Sequence, residues 1–71
     1  MMSDKPALTI SFKKIPAFRK AKRSFEAAYV KCLLLHTEGN VSAAARHAGK
    51  DRKDFYDLAR RCGVKPETFR P

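Results

Sequence analysis

The sequence predicts an all-α protein, one long helix followed by a helix-turn-helix. Three observations carry this. The glycines stand at 39, 49 and 63, at the ends of periodic segments rather than inside them. The prolines, at 6, 16, 66 and 71, lie outside the two short helices of the motif. Between these markers apolar residues recur at three- and four-residue steps, the spacing that gathers side chains on one face of a helix. The 71 residues make one domain at most. A domain of this size buries only about 60% of its unfolded surface, and dimerisation is a common route to a larger core.

Met1 to Ala7 is polar and proline-containing and is expected to be disordered. Leu8-Thr9-Ile10-Ser11-Phe12 alternates apolar and polar residues, which is a strand signal. A single strand is not stable alone. It either pairs with its copy in a dimer or lies as an extended arm across the helices. Residues 1–15 therefore read as a flexible or extended arm, and residues 16–71 as the folded domain.

Pro16 suits the first turn of a helix. From there Phe18, Ala21, Phe25, Ala28, Tyr29, Cys32, Leu33 and Leu35 describe an apolar stripe that ends near Thr37 and is stopped by Gly39. Twenty or so residues make a rod of about 30 Å. That is more apolar surface than two short helices cover. Part of the stripe is intramolecular core, and the surplus predicts symmetric pairing through Phe18, Phe25, Tyr29, Cys32 and Leu33 in a two-fold homodimer.

Asn40 is placed to cap a second helix that stops at Gly49, and Asp51 to cap a third that ends at Gly63. Val41, Ala44, Ala45 and Ala48 share the inner face of the first of these. Phe55, Leu58, Ala59 and Cys62 form the buried face of the other. Val64 is expected to fold back on the helix end, Lys65-Pro66 to terminate the structure, and Glu67 to Pro71 to form a loose tail or a single turn.

The net charge is +9, and seven basic residues against one acidic residue lie up to Arg23. An anionic polymer is the natural partner, nucleic acid first and an acidic membrane surface second. On the third helix, residues 52–62, the face opposite Phe55 and Leu58 carries Arg52, Lys53, Tyr56, Asp57 and Arg60. Arg52, Lys53 and Tyr56 stand near its start, where a recognition helix meets base edges. An arginine fork matches guanine O6 and N7. Tyr56 suits a phosphate or a thymine methyl. Asp57 suits cytosine N4, or it holds Arg60 or Arg61. Asn40 and Ser42 leave a helix N-terminus open to a phosphate. Lys50, Arg61 and the cluster Lys13, Lys14, Arg19, Lys20, Lys22 and Arg23 suit flanking phosphates, which add affinity without sequence information. An ordinary solvated helix surface is the plain alternative for this face, and helix capping alone for Asn40 and Ser42.

Other functions find little support. No run approaches the roughly 20 apolar residues that span a bilayer. No secretory signal and no Cys-x-x-Cys pair is present, so a reducing cytoplasm, in association with the nucleoid, is the expected location. Cys32 and His36 are one helical turn apart and His47 and Cys62 are possible neighbours, but both cysteines fall on core faces, so no metal is expected. With no nucleophile–base pattern, phosphate-binding glycine loop or paired carboxylates, neither an enzyme nor a cofactor nor a small-molecule substrate is expected.

Gly39-Asn40-Val41-Ser42-x-Ala44-Ala45, followed by Gly49-x-x-Arg52-x-x-Phe55-Tyr56-x-Leu58 and a closing Gly63, resembles the Fis-type helix-turn-helix. That module occurs in the Fis nucleoid protein and as the C-terminal domain of sigma-54-dependent, enhancer-binding activators of the nitrogen regulatory protein C family. Phe18 to Glu26 with Tyr29 looks like the helix preceding the motif in such activators. Lys50, Asp54, Asp57 and Ala59 depart from the usual pattern. The resemblance implies a homodimer formed through the long helix, with paired recognition helices in successive major grooves of a roughly palindromic duplex. It further implies a base contact by Arg52, with Asn40, Ser42 and Lys53 near the backbone. The chain reads as either an excised C-terminal domain or a free-standing Fis-like protein. The expected function is sequence-specific duplex DNA binding in bacterial transcription regulation. The alternatives are a basic RNA- or ribosome-associated adaptor, an architectural nucleoid protein with little sequence specificity, and a module docking an acidic protein.

Overall fold

The computed structural model describes residues 8–71, so the expectation of disorder over Met1–Ala7 lies outside the described residues. Three helices follow in order: α1 (Phe18–Thr37), α2 (Val41–Ala48) and α3 (Arg52–Arg61), with a short 3-10 turn at Pro66–Phe69. The class is all-α. Leu8 to Phe12 forms no strand, which corrects the reading of its alternation. Among the described residues there is no second strand to accept its hydrogen bonds, and a period-two pattern without a partner has no ladder to join.

The helix boundaries follow from local chemistry. The Asn40 side chain accepts a hydrogen bond from the Ala43 N–H at 3.1 Å, and that of Asp51 accepts from the Asp54 N–H at 2.8 Å. Each cap satisfies an amide that the helix itself leaves unpaired. Left-handed residues close the other ends. Gly49 has φ 73°, and the Lys50 N–H reaches back to the Ala45 carbonyl at 2.9 Å. Gly63 has φ 72°, and the Val64 N–H donates to Ala59 in the same way. At the end of α1 the left-handed position falls on Glu38, with φ 53°, one residue before the expected glycine. Gly39 follows at φ 82° and donates its N–H to the Leu34 carbonyl. Two successive left-handed residues turn the chain sharply into α2, and the glycine takes the more extreme of the two angles.

The core is one cluster. It holds Val30, Leu33 and Leu34 from α1, Val41, Ala44 and Ala45 from α2, Phe55, Leu58 and Ala59 from α3, and Val64 beyond it. No polar or charged residue among those described is buried with them. Ala44 and Ala45 let α2 approach its neighbours closely, and Phe55 fills the space they leave. Cys62 and Ala48 are half-buried at the margin.

The buried stripe of α1 runs through Val30, Leu33 and Leu34, and the hydroxyl of half-buried Thr37 donates to the Leu33 carbonyl at 2.9 Å. This corrects two assignments. Leu33 is spent in the chain's own core and is not available to a partner. Leu35 points outward, 57% exposed, because it lies about 200° around the helix from Leu33. Buried residues of α1 begin at Val30, so its first three turns hold only half-buried and exposed residues. Phe18 is 81% exposed and Phe25 is 45% exposed there. Phe25 stacks on Tyr29 with ring centroids 5.5 Å apart, and Tyr29 in turn packs against the core.

Replacing Phe55 by alanine is expected to cost about 3–5 kcal/mol, enough to unfold most of a small domain. Enlarging Ala45 to leucine should cost about 1–3 kcal/mol by forcing α2 away from its neighbours. Thermal unfolding followed by circular dichroism checks both.

Candidate nucleic-acid interface

The two sides of α3 have opposite fates. Phe55, Leu58 and Ala59 are buried, while Arg52, Lys53, Asp57, Arg60 and Arg61 are exposed. Tyr56 lies between the two sides, half-buried and packed against the core. Its ring carries the Arg52 guanidinium, whose Cζ lies 6.0 Å from the ring centroid. A cation over an aromatic face gains modestly at an exposed site and is held in a narrower range of directions. Asp57 pairs with Arg60 at 3.8 Å. Both side chains are largely in water, so the pair orients Arg60 more than it stabilises α3.

At the start of α2, Asn40 and Ser42 are exposed beside this face. An open cleft of about 330 Å³ joins the two helices, and Asn40, Ser42, Arg52 and Tyr56 line it together. Lys50, Lys53, Asp57 and Arg61 lie on exposed surface outside that cleft, and Arg60 lines a second hollow on the other side of Tyr56. Lys13, Lys14, Arg19, Lys20, Lys22 and Arg23 are also exposed, along the extended segment and the projecting start of α1.

The cleft contains a residue that the sequence did not suggest. Arg70 lines it from the C-terminal turn, and Glu38 supplies an acidic group on its wall. Only the docking of that turn across the α1–α2 junction brings Arg70 there, and no local sequence signal marks it.

His36 and His47 approach each other, with ring centroids 5.6 Å apart, yet among the described residues no group of three potential ligands gathers. Burial pushes the Cys62 thiol above its ordinary pKa, and the Glu26 carboxylate adds to the effect against opposing pulls from Arg61 and Lys31. A thiol raised in this way is protonated at neutral pH and is a poor ligand or nucleophile.

Comparison with known proteins gives two relatives over the same segment. The chain is 41% identical over 56 residues, 79% of its length, to the transcriptional regulatory protein GlrR of Escherichia coli strain K12. It matches the transcriptional regulatory protein QseF of Escherichia coli O157:H7 with the same identity and coverage. The three-helix fold and this match are consistent with the Fis-type helix-turn-helix that the sequence resembles. The chain spans only 13% of either relative's length, so the likeness concerns the module and not the whole of those regulators. No protein-family model matches the chain. No solved structure matches it significantly. No helix among the described residues is long and apolar enough to cross a membrane.

Two measurements probe the α2 cap and the core margin without a ligand. Asn40→Ala is expected to lower stability by about 1 kcal/mol through loss of the α2 cap, read as a fall in melting temperature. Alkylation of Cys62 should be slow at pH 7, should rise with pH, and should reach its half-maximal rate only above the ordinary thiol range. A half-maximal rate below that range would contradict the burial of its sulfur.

Proposed function

We propose that the chain binds duplex DNA as a homodimer and serves bacterial transcription regulation, with α3 in the major groove. The observation that carries this reading is the solvent-facing cationic side of α3 beside the N-terminus of α2. A helix whose greasy side is fully buried while Arg52, Lys53, Tyr56 and Arg60 stay accessible is shaped for a groove about 12 Å wide. The similarity to two named transcriptional regulators supports the same reading. Arg52, steadied by the Tyr56 ring, reads a guanine edge. Asn40, Ser42 and Lys53 sit against the backbone, and Lys50, Arg60 and Arg61 add phosphate contacts. Asp57 acts through Arg60. The chain works as a binding module in the cytoplasm, without cofactor or catalytic step.

Pairing uses the part of α1 that its own core leaves uncovered. Phe18 and Phe25 are accessible, Cys32 lies half-buried on the same helix, and Tyr29 links Phe25 to the core. Two copies related by a two-fold axis then present α3 to major grooves about 34–36 Å apart.

In competition, duplex DNA of selected sequence should displace structured RNA by orders of magnitude, and equal binding would instead favour an RNA-associated adaptor. Sites selected from random duplexes should contain an inverted repeat. Arg52→Ala should relax preference at one position of each half-site by about 1–3 kcal/mol. A uniform loss on all sequences would reduce Arg52 to a phosphate contact. Phe25→Glu should yield a folded monomer in sedimentation, and a persisting dimer would overturn pairing through α1.

A further inference from the structure

We infer that Arg70 is a DNA-backbone contact, which makes the C-terminal turn part of the interface rather than a tail beyond the helix-turn-helix. The inference rests on the duplex-binding reading above. Three features hold the turn in place. Val64 and Pro66 are buried, and Phe69 packs against the core from the far end. The Lys65 carbonyl accepts from both the N–H and the hydroxyl of Thr68, at 3.1 and 2.7 Å. The Arg70 N–H closes on the Glu67 carbonyl at 3.4 Å.

The arginine then crosses the α1–α2 junction. A Cβ added at Gly39 would come within 2.6 Å of Arg70 Cγ and 2.9 Å of the Arg70 backbone nitrogen. The absence of a side chain at Gly39 therefore serves two purposes, the backbone angle and the passage of this stem. Arg70 is exposed and lines the same cleft as Arg52 and Ser42, so two guanidinium groups from separate parts of the chain border one opening. They outnumber the single carboxylate there, Glu38. An arginine whose apolar stem already rests on the protein surrenders less freedom when its head meets an anion. A phosphate of the strand flanking the groove is the anion of matching charge and shape, and arginine binds it through a two-pronged fork.

The test measures affinity and its salt dependence for the full chain, Arg70→Ala and Arg70→Met on a duplex that the parent binds. Arg70→Met keeps an apolar stem over Gly39, which separates loss of charge from loss of packing. Both variants are expected to keep the parental melting temperature within a few degrees and to bind about tenfold more weakly. The loss should be equal on all sequences, and the slope of log affinity against log salt should shrink by about 0.9 per copy. Arg70→Lys should retain most of that slope. A parental affinity and slope in Arg70→Met, with the parent binding duplex normally, would overturn the assignment to Arg70 alone. A loss confined to particular bases would overturn its assignment to a phosphate. If the parent itself fails to bind duplex DNA, the wider reading falls first.

Discussion

The architecture depends on the close approach of α2 to its neighbours around the buried Phe55. Ala44 and Ala45 supply little bulk, and Phe55 heads the large, fully buried side chains, with Leu34 and Val30. Burying a phenylalanine contributes about 1.5–3 kcal/mol, a large fraction of what holds a domain of this size together. The same packing dictates the orientation of α3. Once Phe55, Leu58 and Ala59 are committed inward, Arg52, Lys53, Asp57 and Arg60 have nowhere to go but water. The candidate interface is thus a by-product of core packing, not a separate device.

The turns between helices matter as much as the helices. Each helix ends in a left-handed residue whose backbone bonds satisfy the last carbonyls, so every change of direction is defined by one or two residues. At the α1–α2 junction the arrangement is tightest. Glu38 and Gly39 are both left-handed, Gly39 is buried, and the C-terminal segment passes directly over it. Residues far apart in the chain therefore meet at the mouth of the cleft, and the geometry of that mouth depends on the absence of one Cβ.

The long helix is divided in its loyalties. From Val30 onward it belongs to the core, and before that its apolar side chains are half-buried or exposed. Exposed aromatic residues on a projecting helix are a cost to a small basic protein in water, where a contiguous apolar patch normally marks an interaction surface. The +9 net charge opposes self-association at long range, so any pairing there must come from short-range apolar contact that overcomes it.

Most of the fold was legible in the chain's chemistry because its decisive signals are local. Asn40, Asp51, Gly49 and Gly63 act within four residues of themselves, and helical periodicity requires only neighbours on one face. Tyr56 and Arg52 on one turn of α3 were legible for the same reason. What escaped was whatever depended on a partner elsewhere. The alternation over Leu8–Phe12 could not announce that no strand would meet it, and the α1 stripe could not reveal that its centre is Val30–Leu34 while Leu35 turns away. Arg70 is the plainest case. Nothing in Pro66 to Pro71 distinguishes a tail from a docked turn, because the decision belongs to Phe69 finding the core and to the space above Gly39. The sequence alone determined the helices, their ends and the charge of α3, through interactions spanning a turn or less. Tertiary packing alone decided which part of the α1 stripe is spent inside and which residues share the cleft, because those outcomes require side chains distant in the chain to compete for the same volume.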